Sequence, residues 1–293
     1  MEHPLTVGVD GSDSSLQAVD WAVDEAARRG LPLRLVHASL WERYEGVGPP
    51  SDPDRPVDEL MAEHIVAACT ERVRQRAPEM TVSGDVLPDD AVSALLRAGD
   101  ESSALVIGSR GRGEIAGMLL GSVGLAVAAG AACPVVVVRG AEPNRSGVFG
   151  RVVVGVGDDP AGEADAVRFA LRAAEVRGCA LEAVRVRRGH DHVAEQPRAA
   201  SSPGAHEELA PTGLTDALRE AMGQHPGVEV RTRPVEGAAH RALLDASADA
   251  DLVVVGARRR HGHLGRVTHA LLHRSRCPVA VVPVRQAGRP AGR

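Results

Sequence analysis

The chain has 293 residues and a net charge of −5, and all 34 of its basic residues are arginine. The absence of lysine argues against a P-loop NTPase, a protein kinase and any Schiff-base or pyridoxal phosphate enzyme, because each of these depends on a lysine amine. The acidic charge argues against a general nucleic-acid binder, and no apolar run reaches the ~20 residues of a membrane span.

The chain starts with a strand-like run, Leu5–Val9, and lacks the basic and apolar regions of a signal peptide. Its four cysteines are scattered and form no CxxC pair. We therefore expect reduced thiols and a cytoplasmic protein.

Three short sequences of the first half recur in the same order in the second half. The three pairs are Val7–Val9 with Val154–Val156, Gly108 with Gly256, and Cys133 with Cys277. Their separations are nearly constant, so the chain is a tandem duplication. We place domain 1 at residues 1–140, a linker at 141–149, domain 2 at 150–286 and a Gly/Pro/Arg tail at 287–293.

Short apolar runs alternate with amphipathic stretches in each copy. The pattern predicts strands at 5–9, 33–37, 81–86, 104–108 and 135–139, and again at 151–156, 180–186, 228–233, 252–256 and 279–284. Helices are expected in the first copy at 13–29, 57–76, 89–99 and 122–131. The first helix has an N-cap candidate in Ser12 or Asp13 and ends at Gly30. Residues 42–56 and 188–213 interrupt the pattern and are predicted to be surface loops.

Alternating strands and helices indicate an α/β fold with a parallel sheet covered on both faces. We expect two tandem Rossmann-like doubly wound domains, each a five-stranded parallel sheet flanked by helices. Ligands of such sheets bind at the carboxyl ends of the strands, where Asp10 and the Gly108 loop should meet.

The loop after the fourth strand has the residues of a phosphate site. Glycines let the backbone present N–H groups to an anion, and a helix that starts at Ser122 would add its positive end. Ser122 can also donate its hydroxyl, and Arg110 and Arg112 add charge. A single glycine in this loop indicates a turn or a helix cap more often than a phosphate site.

The complete spacing, Gly108-x2-Gly111-x9-Gly121-Ser122, is more specific. It resembles the ATP-binding motif of the universal stress protein family, G-x2-G-x9-G-[S/T]. Asp10-Gly11-Ser12 and the Cys133-Pro-Val strand are also similar to that family, and the resemblance covers nearly the whole chain as a tandem two-domain member.

The resemblance implies a set of nucleotide-binding residues. Asp10, with Gly8 and Val9, would lie near base and ribose, and Ala38 would line the adenine. Ile107, Gly108, Ser109 and Gly111 would surround the ribose and phosphates, and the triphosphate end would be held by Gly121, Ser122, Val123 and Gly124.

The second copy departs from this motif. The second glycine is replaced by Arg259, the spacer falls from nine residues to five, and Arg266 replaces Ser122. Gly157 stands in place of Asp10, with Asp158 and Asp159 displaced. We expect weak ATP binding or none in this copy. The alternatives are that its arginines form a different anion site, a solvated surface or a domain interface; they are Arg258, Arg259, Arg260 and Arg266.

Other candidate residues favour structural roles. His269 and His273 share a helix face but lack the partners of a metal site, and His190 and His192 lie in a predicted loop. Cys133 and Cys277 are expected to be buried thiols. Trp21 and Phe169 fall on equivalent helices and are expected in the core or an interface.

These features predict a non-catalytic, ATP-binding regulatory module, with ATP bound alone or with Mg²⁺. The expected partner is an adenine nucleotide, with no nucleic acid and no membrane. The two copies would form an intrachain pseudo-dimer, and a homodimer is a further option. The alternatives are a nucleotide-free scaffolding protein, a slow adenine-nucleotide hydrolase and a binder of another adenine nucleotide.

Overall fold

The computed structural model describes residues 3–40, 55–111, 120–157, 160–187, 220–257 and 264–284. The first half comprises β1 (Leu5–Gly8), α1 (Asp13–Arg29), β2 (Leu33–Ala38), α2 (Arg55–Arg76), β3 (Val82–Leu87), α3 (Ala91–Asp100), β4 (Ala104–Gly108), α4 (Ser122–Gly130) and β5 (Val135–Val138). After α5 (Glu142–Ser146) come β6 (Arg151–Val156), α6 (Pro160–Arg177), β7 (Ala180–Arg187), β8 (Val230–Glu236), α7 (Ala239–Ala246), β9 (Leu252–Ala257), α8 (Arg266–Arg274) and β10 (Val279–Pro283).

The predicted fold class is confirmed. Each of the ten predicted strands is present, with bounds that differ from the predicted ones by at most three residues. The valine-rich centres of the inner strands are buried, as expected for strands that carry helices on both faces, whereas the edge strands β3 and β8 are not buried. Helix α1 is capped by Ser12, whose side chain accepts from the Ser15 N–H, and it ends at Gly30 with φ 66°.

The strand order places a crevice between β1 and β4. Within the first half the order is β3-β2-β1-β4-β5, and all neighbours are parallel. From β1 the chain therefore continues to β2 and β3 on one side of β1, and it then returns to β4 on the opposite side of β1. Helices α1 and α4, which follow these two strands, pack into different core clusters on opposite faces of the sheet and leave room between them.

The two sheets are joined, which the repeat alone does not reveal. Strands β5 and β10 pair antiparallel and complete a single ten-stranded sheet. Val136 lies opposite Ala280, its equivalent 144 residues later. The two halves are therefore related by an approximate twofold axis through this pair, and each covers the exposed edge of the other.

The predicted linker, 141–149, contains a docked helix. Helix α5 has no side-chain hydrogen bond at its N-cap. Its Asn144 is buried and donates to the carbonyls of Ala248 and Ala250, at 3.0 and 2.9 Å. The contacts with the second half stabilise this turn of helix, and the local composition of turn-forming residues did not indicate it.

In the described part of the chain, no helix is both long and apolar enough to span a bilayer. Residues 55 and 56 of the first predicted loop belong to α2. The remainder of that loop, all of 188–213 and the predicted tail lie outside the described residues.

Candidate functional site

A cavity of about 440 Å³ opens between the carboxyl ends of β1 and β4. All twelve residues that the sequence analysis assigned to a nucleotide site line it; they are Gly8, Val9, Asp10, Ala38, Ile107, Gly108, Ser109, Gly111, Gly121, Ser122, Val123 and Gly124. Their convergence is a structural fact, and their role in holding a nucleotide stays a prediction.

Asp10 is fixed by the turn that it starts. Its Oδ1 accepts from the Ser12 backbone N–H at 3.0 Å and from the Ser12 hydroxyl at 2.6 Å. Gly111 lies on the other side of the carboxylate, where an added Cβ would be 2.8 Å from Asp10 Oδ2. The carboxylate is thus held at the cavity wall, in a position to accept from a ligand hydroxyl.

The first glycine of the motif is required by packing. A Cβ on Gly108 would lie 2.5 Å from Ser14 Oγ and 2.7 Å from the Ser14 carbonyl oxygen. The Ser14 hydroxyl also accepts from the Arg110 N–H at 3.1 Å. Gly108 therefore allows the first turn of α1 to approach the end of β4.

Gly121 has a different environment. Its N–H donates to the Ser109 carbonyl at 3.0 Å and closes the loop before α4. Its φ is −71°, and a Cβ built on it would meet no atom within 4 Å. Because Ser122, Val123 and Gly124 form the first turn of α4, their N–H groups have no acceptor within the helix. The cavity therefore receives the positive end of a helix.

The cavity combines an apolar floor with a polar rim. Its apolar lining includes Val9, Val36, Leu95 and Ile107. Asp10, His37, Ser109, Arg110 and Ser122 supply polar and charged groups. Such a lining suits a ligand with a flat apolar part and an anionic part.

Several lining residues were missed by the sequence analysis. They are Ser15, Val36, His37, Ala91 and Leu95. His37 Nδ1 lies 2.7 Å from the Val9 carbonyl, which can only accept, so Nδ1 carries the hydrogen. Its position beside Ala38, at the carboxyl end of β2, was the available signal. Arg110 also lines the cavity as expected, whereas Arg112 lies outside the described residues.

The corresponding region of the second copy contains an additional carboxylate. Glu163 of α6 accepts from the Gly157 N–H at 2.7 Å, directly after β6. Glu163 lies 148 residues after Ser15, the same separation as between Gly178 and Gly30, the residues that end α6 and α1. A buried carboxylate thus replaces a small hydroxyl. Asp158, Asp159 and the arginines at 258–260 lie outside the described residues, and Arg266 is the first residue of α8.

The other candidates occupy structural positions. The rings of His269 and His273 are 4.4 Å apart, and no group of three metal-ligand side chains occurs among the described residues. None of the four cysteines, all of which lie in the described ranges, forms a disulfide, and burial raises the pKa of the Cys277 thiol to about 12. Trp21 lies between the copies, with the Arg177 guanidinium 5.7 Å from its ring centre.

Comparison with known proteins gives a consistent family assignment. The family model described as "Universal stress protein family" matches residues 1–139 and 149–283. The universal stress protein Rv2005c of Mycobacterium tuberculosis is 30% identical over 96% of this chain and 97% of its own length. Rv2623 from the same organism is 39% identical over 47% of this chain and 46% of its own. A crystal structure of a universal stress protein from Archaeoglobus fulgidus covers 97% of this chain and 100% of its own, with a TM-score of 0.68 and 20% identity.

Proposed function

Because the chain belongs to the universal stress protein family, we propose that it is a non-catalytic regulatory protein that binds one ATP in its first copy. One observation carries the proposal. The twelve residues of the family motif and its flanking strands converge on a single cavity that has an apolar floor and a helix N-terminus at its rim.

From the residues that line the cavity, we expect a different part of the nucleotide to bind at each end of it. An adenine ring would lie against apolar side chains such as Val36 and Ile107, with Asp10 available to a ribose hydroxyl. The phosphates would be held by the first N–H groups of α4, the Ser122 hydroxyl and Arg110. These donors can hold phosphate without a lysine. Mg²⁺ would accompany the triphosphate as its counter-ion.

The second copy is proposed to bind ATP weakly or not at all. Glu163 uses the Gly157 N–H and places a carboxylate where the first copy has the Ser15 hydroxyl. The extra negative charge opposes a polyanionic ligand. We therefore expect one nucleotide per chain.

We propose that ATP acts by selecting a conformation, as a ligand that favours one state of an interface. No paired general acid and base, and no nucleophile with an adjacent base, was found in the sequence near the motif. The cytoplasm stays the proposed compartment, and four cysteines without a disulfide support a reducing environment.

The first test denatures the purified protein and identifies by chromatography any nucleotide that is released. The second is a calorimetric titration of the purified protein with ATP. We expect about one adenine nucleotide per chain and much weaker binding of GTP. Two equal sites would contradict the assignment of the second copy. Absence of both carried and titrated nucleotide would favour the scaffolding alternative, and fast metal-dependent turnover would favour the hydrolase.

A further inference from the structure

Helices α1 and α6 are related by the approximate twofold axis and contact each other reciprocally. Trp21 and Phe169 are equivalent, as are Arg29 and Arg177, each pair being 148 residues apart. The Arg177 guanidinium lies 5.7 Å from the centre of the Trp21 ring, and that of Arg29 lies 5.2 Å from the centre of the Phe169 ring. Each helix therefore borders a groove between the copies, and the two grooves are equivalent by this symmetry.

The first of these, the filled groove, runs beside Asp20, Trp21 and Asp24 of α1 and is occupied by the linker. Only about 140 Å³ remains between these side chains and α5. Arg145 of α5 donates to Gln17 at 3.0 Å. Asp251 accepts from the Phe149 N–H at 3.0 Å and anchors the end of the linker.

The second, the open groove, is a cavity of about 560 Å³ beside Arg168, Phe169 and Arg172 of α6. These residues are the equivalents of Asp20, Trp21 and Asp24, each 148 positions later. Ser103, which also lines the open groove, takes the place of Asp251. The carboxylate that anchors the linker in one groove is thus replaced by a hydroxyl in the other.

The charges of the two grooves are opposite. In the filled groove, Asp20 and Asp24 are paired with Arg72 and Arg76 of α2, at 2.6 and 2.8 Å. In the open groove, Arg168 contacts Asp165 on its own helix. The exposed Arg172 side chain forms no hydrogen bond or ion pair with any residue that the structure describes.

Among the described residues, the remaining lining of the open groove contains one carboxylate, Glu175, whose oxygen lies 2.8 Å from His225 Nδ1. Arg29 lies over Phe169, and Leu31 adds apolar surface. The groove therefore offers an aromatic ring, apolar surface and a guanidinium without an ion pair, and within the described ranges no segment with complementary charges lies in it.

We propose that the open groove binds a short acidic peptide segment of another protein, in the position that α5 occupies in the filled groove. The filled groove shows that a turn of helix fits this site, and the exchange of two aspartates for two arginines selects an acidic occupant. The last nine residues of this chain are poorly suited, because they contain three arginines and no acidic side chain. The proposal is independent of the nucleotide site.

The test uses fluorescence anisotropy and a labelled peptide of the linker sequence 141–150 in which Arg145 is replaced by glutamate. We expect saturable binding to the full chain below about 1 mM, in the range of weak, small interfaces. Arg172→Glu should weaken binding roughly tenfold at low ionic strength, since it replaces attraction by repulsion. Arg74→Glu is the matched control, because Arg74 is an exposed arginine on α2 and lies outside the groove lining.

Binding that Arg172→Glu weakens and Arg74→Glu leaves unchanged supports the proposal. No saturable binding, or equal losses in the two variants, would overturn it. Inorganic triphosphate or single-stranded DNA that competes as well as the peptide would show general anion attraction and would also overturn it. A tenfold rise in peptide affinity after deletion of residues 285–293 would also overturn the proposal, because the deleted residues would then be what occupies the open groove.

Discussion

Gly121 is a motif residue at which the packing of the protein itself leaves room for a side chain. Its φ is −71°, and an added Cβ would meet no atom within 4 Å. We therefore predict that Gly121→Ala leaves the free energy of unfolding within about 0.5 kcal/mol of the parent. The same methyl should weaken ATP binding by tenfold or more, because it takes up ligand space. Calorimetric titration and chemical denaturation measure the two effects.

The second copy offers a matched control for this variant. Gly265 is the N-cap of α8, has φ −64° and also has no atom within 4 Å of an added Cβ. Gly265→Ala should change neither stability nor ATP affinity. If Gly121→Ala binds ATP as the parent does, Gly121 does not belong to the site.

Gly108 should respond in the opposite way. An added Cβ would come within 2.7 Å of the Ser14 backbone, which cannot move away as a flexible side chain could. We predict that Gly108→Ala lowers the free energy of unfolding by about 1–3 kcal/mol, the usual cost of overpacking. Denaturant unfolding without nucleotide is the measurement. A variant of parental stability would show that α1 is not held as closely to β4 as the structure indicates.

At the scale of the element, the strands and the crevice were predictable because their signals are local. Runs such as Val135–Val138 are apolar on both faces, and the glycine spacing is written along one segment. The β5–β10 pairing and the docking of α5 depend on contacts between residues far apart in sequence, so periodicity does not encode them. The sequence indicates a ligand, a turn or a helix cap for Gly108 but not its packing against Ser14, because that approach is also a tertiary contact.

The C-terminal carbonyl groups of helix α8, in the second copy, are capped by a side chain of the first copy. Arg139 donates to the Leu272 carbonyl and, at 2.7 Å, to the His273 carbonyl. Burial lowers the pKa of its guanidinium to about 10, so the charge persists at neutral pH. We predict that Arg139→Met costs about 1–3 kcal/mol of unfolding free energy, because two carbonyls lose their donor. In thermal denaturation, Arg276→Met, an exposed control, should match the parent. Equal stability of both variants would show that the cap contributes nothing.

At the scale of the whole molecule, one buried charge that breaks the approximate symmetry lies between the two halves. Glu25 of α1 is 1% exposed, whereas the equivalent position on α6 is Ala173. Its carboxylate contacts Arg29 on its own helix and Arg177 of the other copy, each at 2.6 Å. Burial lowers the pKa of Arg177, and Glu25 opposes that shift. A homodimer stays a prediction and would need another surface, because β5 and β10 already pair.

Glu25 should therefore couple the stabilities of the two halves. Glu25→Gln leaves two nearly buried guanidinium groups without their counter-charge, and we predict a loss of about 3–5 kcal/mol. Circular dichroism follows both halves, and in a Trp41→Phe background fluorescence reports on Trp21, which packs beside Arg177. In Glu25→Gln, both signals should show the same unfolding midpoint, at a lower denaturant concentration than in the parent. Glu71→Gln, at an exposed position, should leave both midpoints unchanged. Separate transitions in the parent protein would mean that the copies unfold independently, despite their shared sheet and the buried ion pair between them.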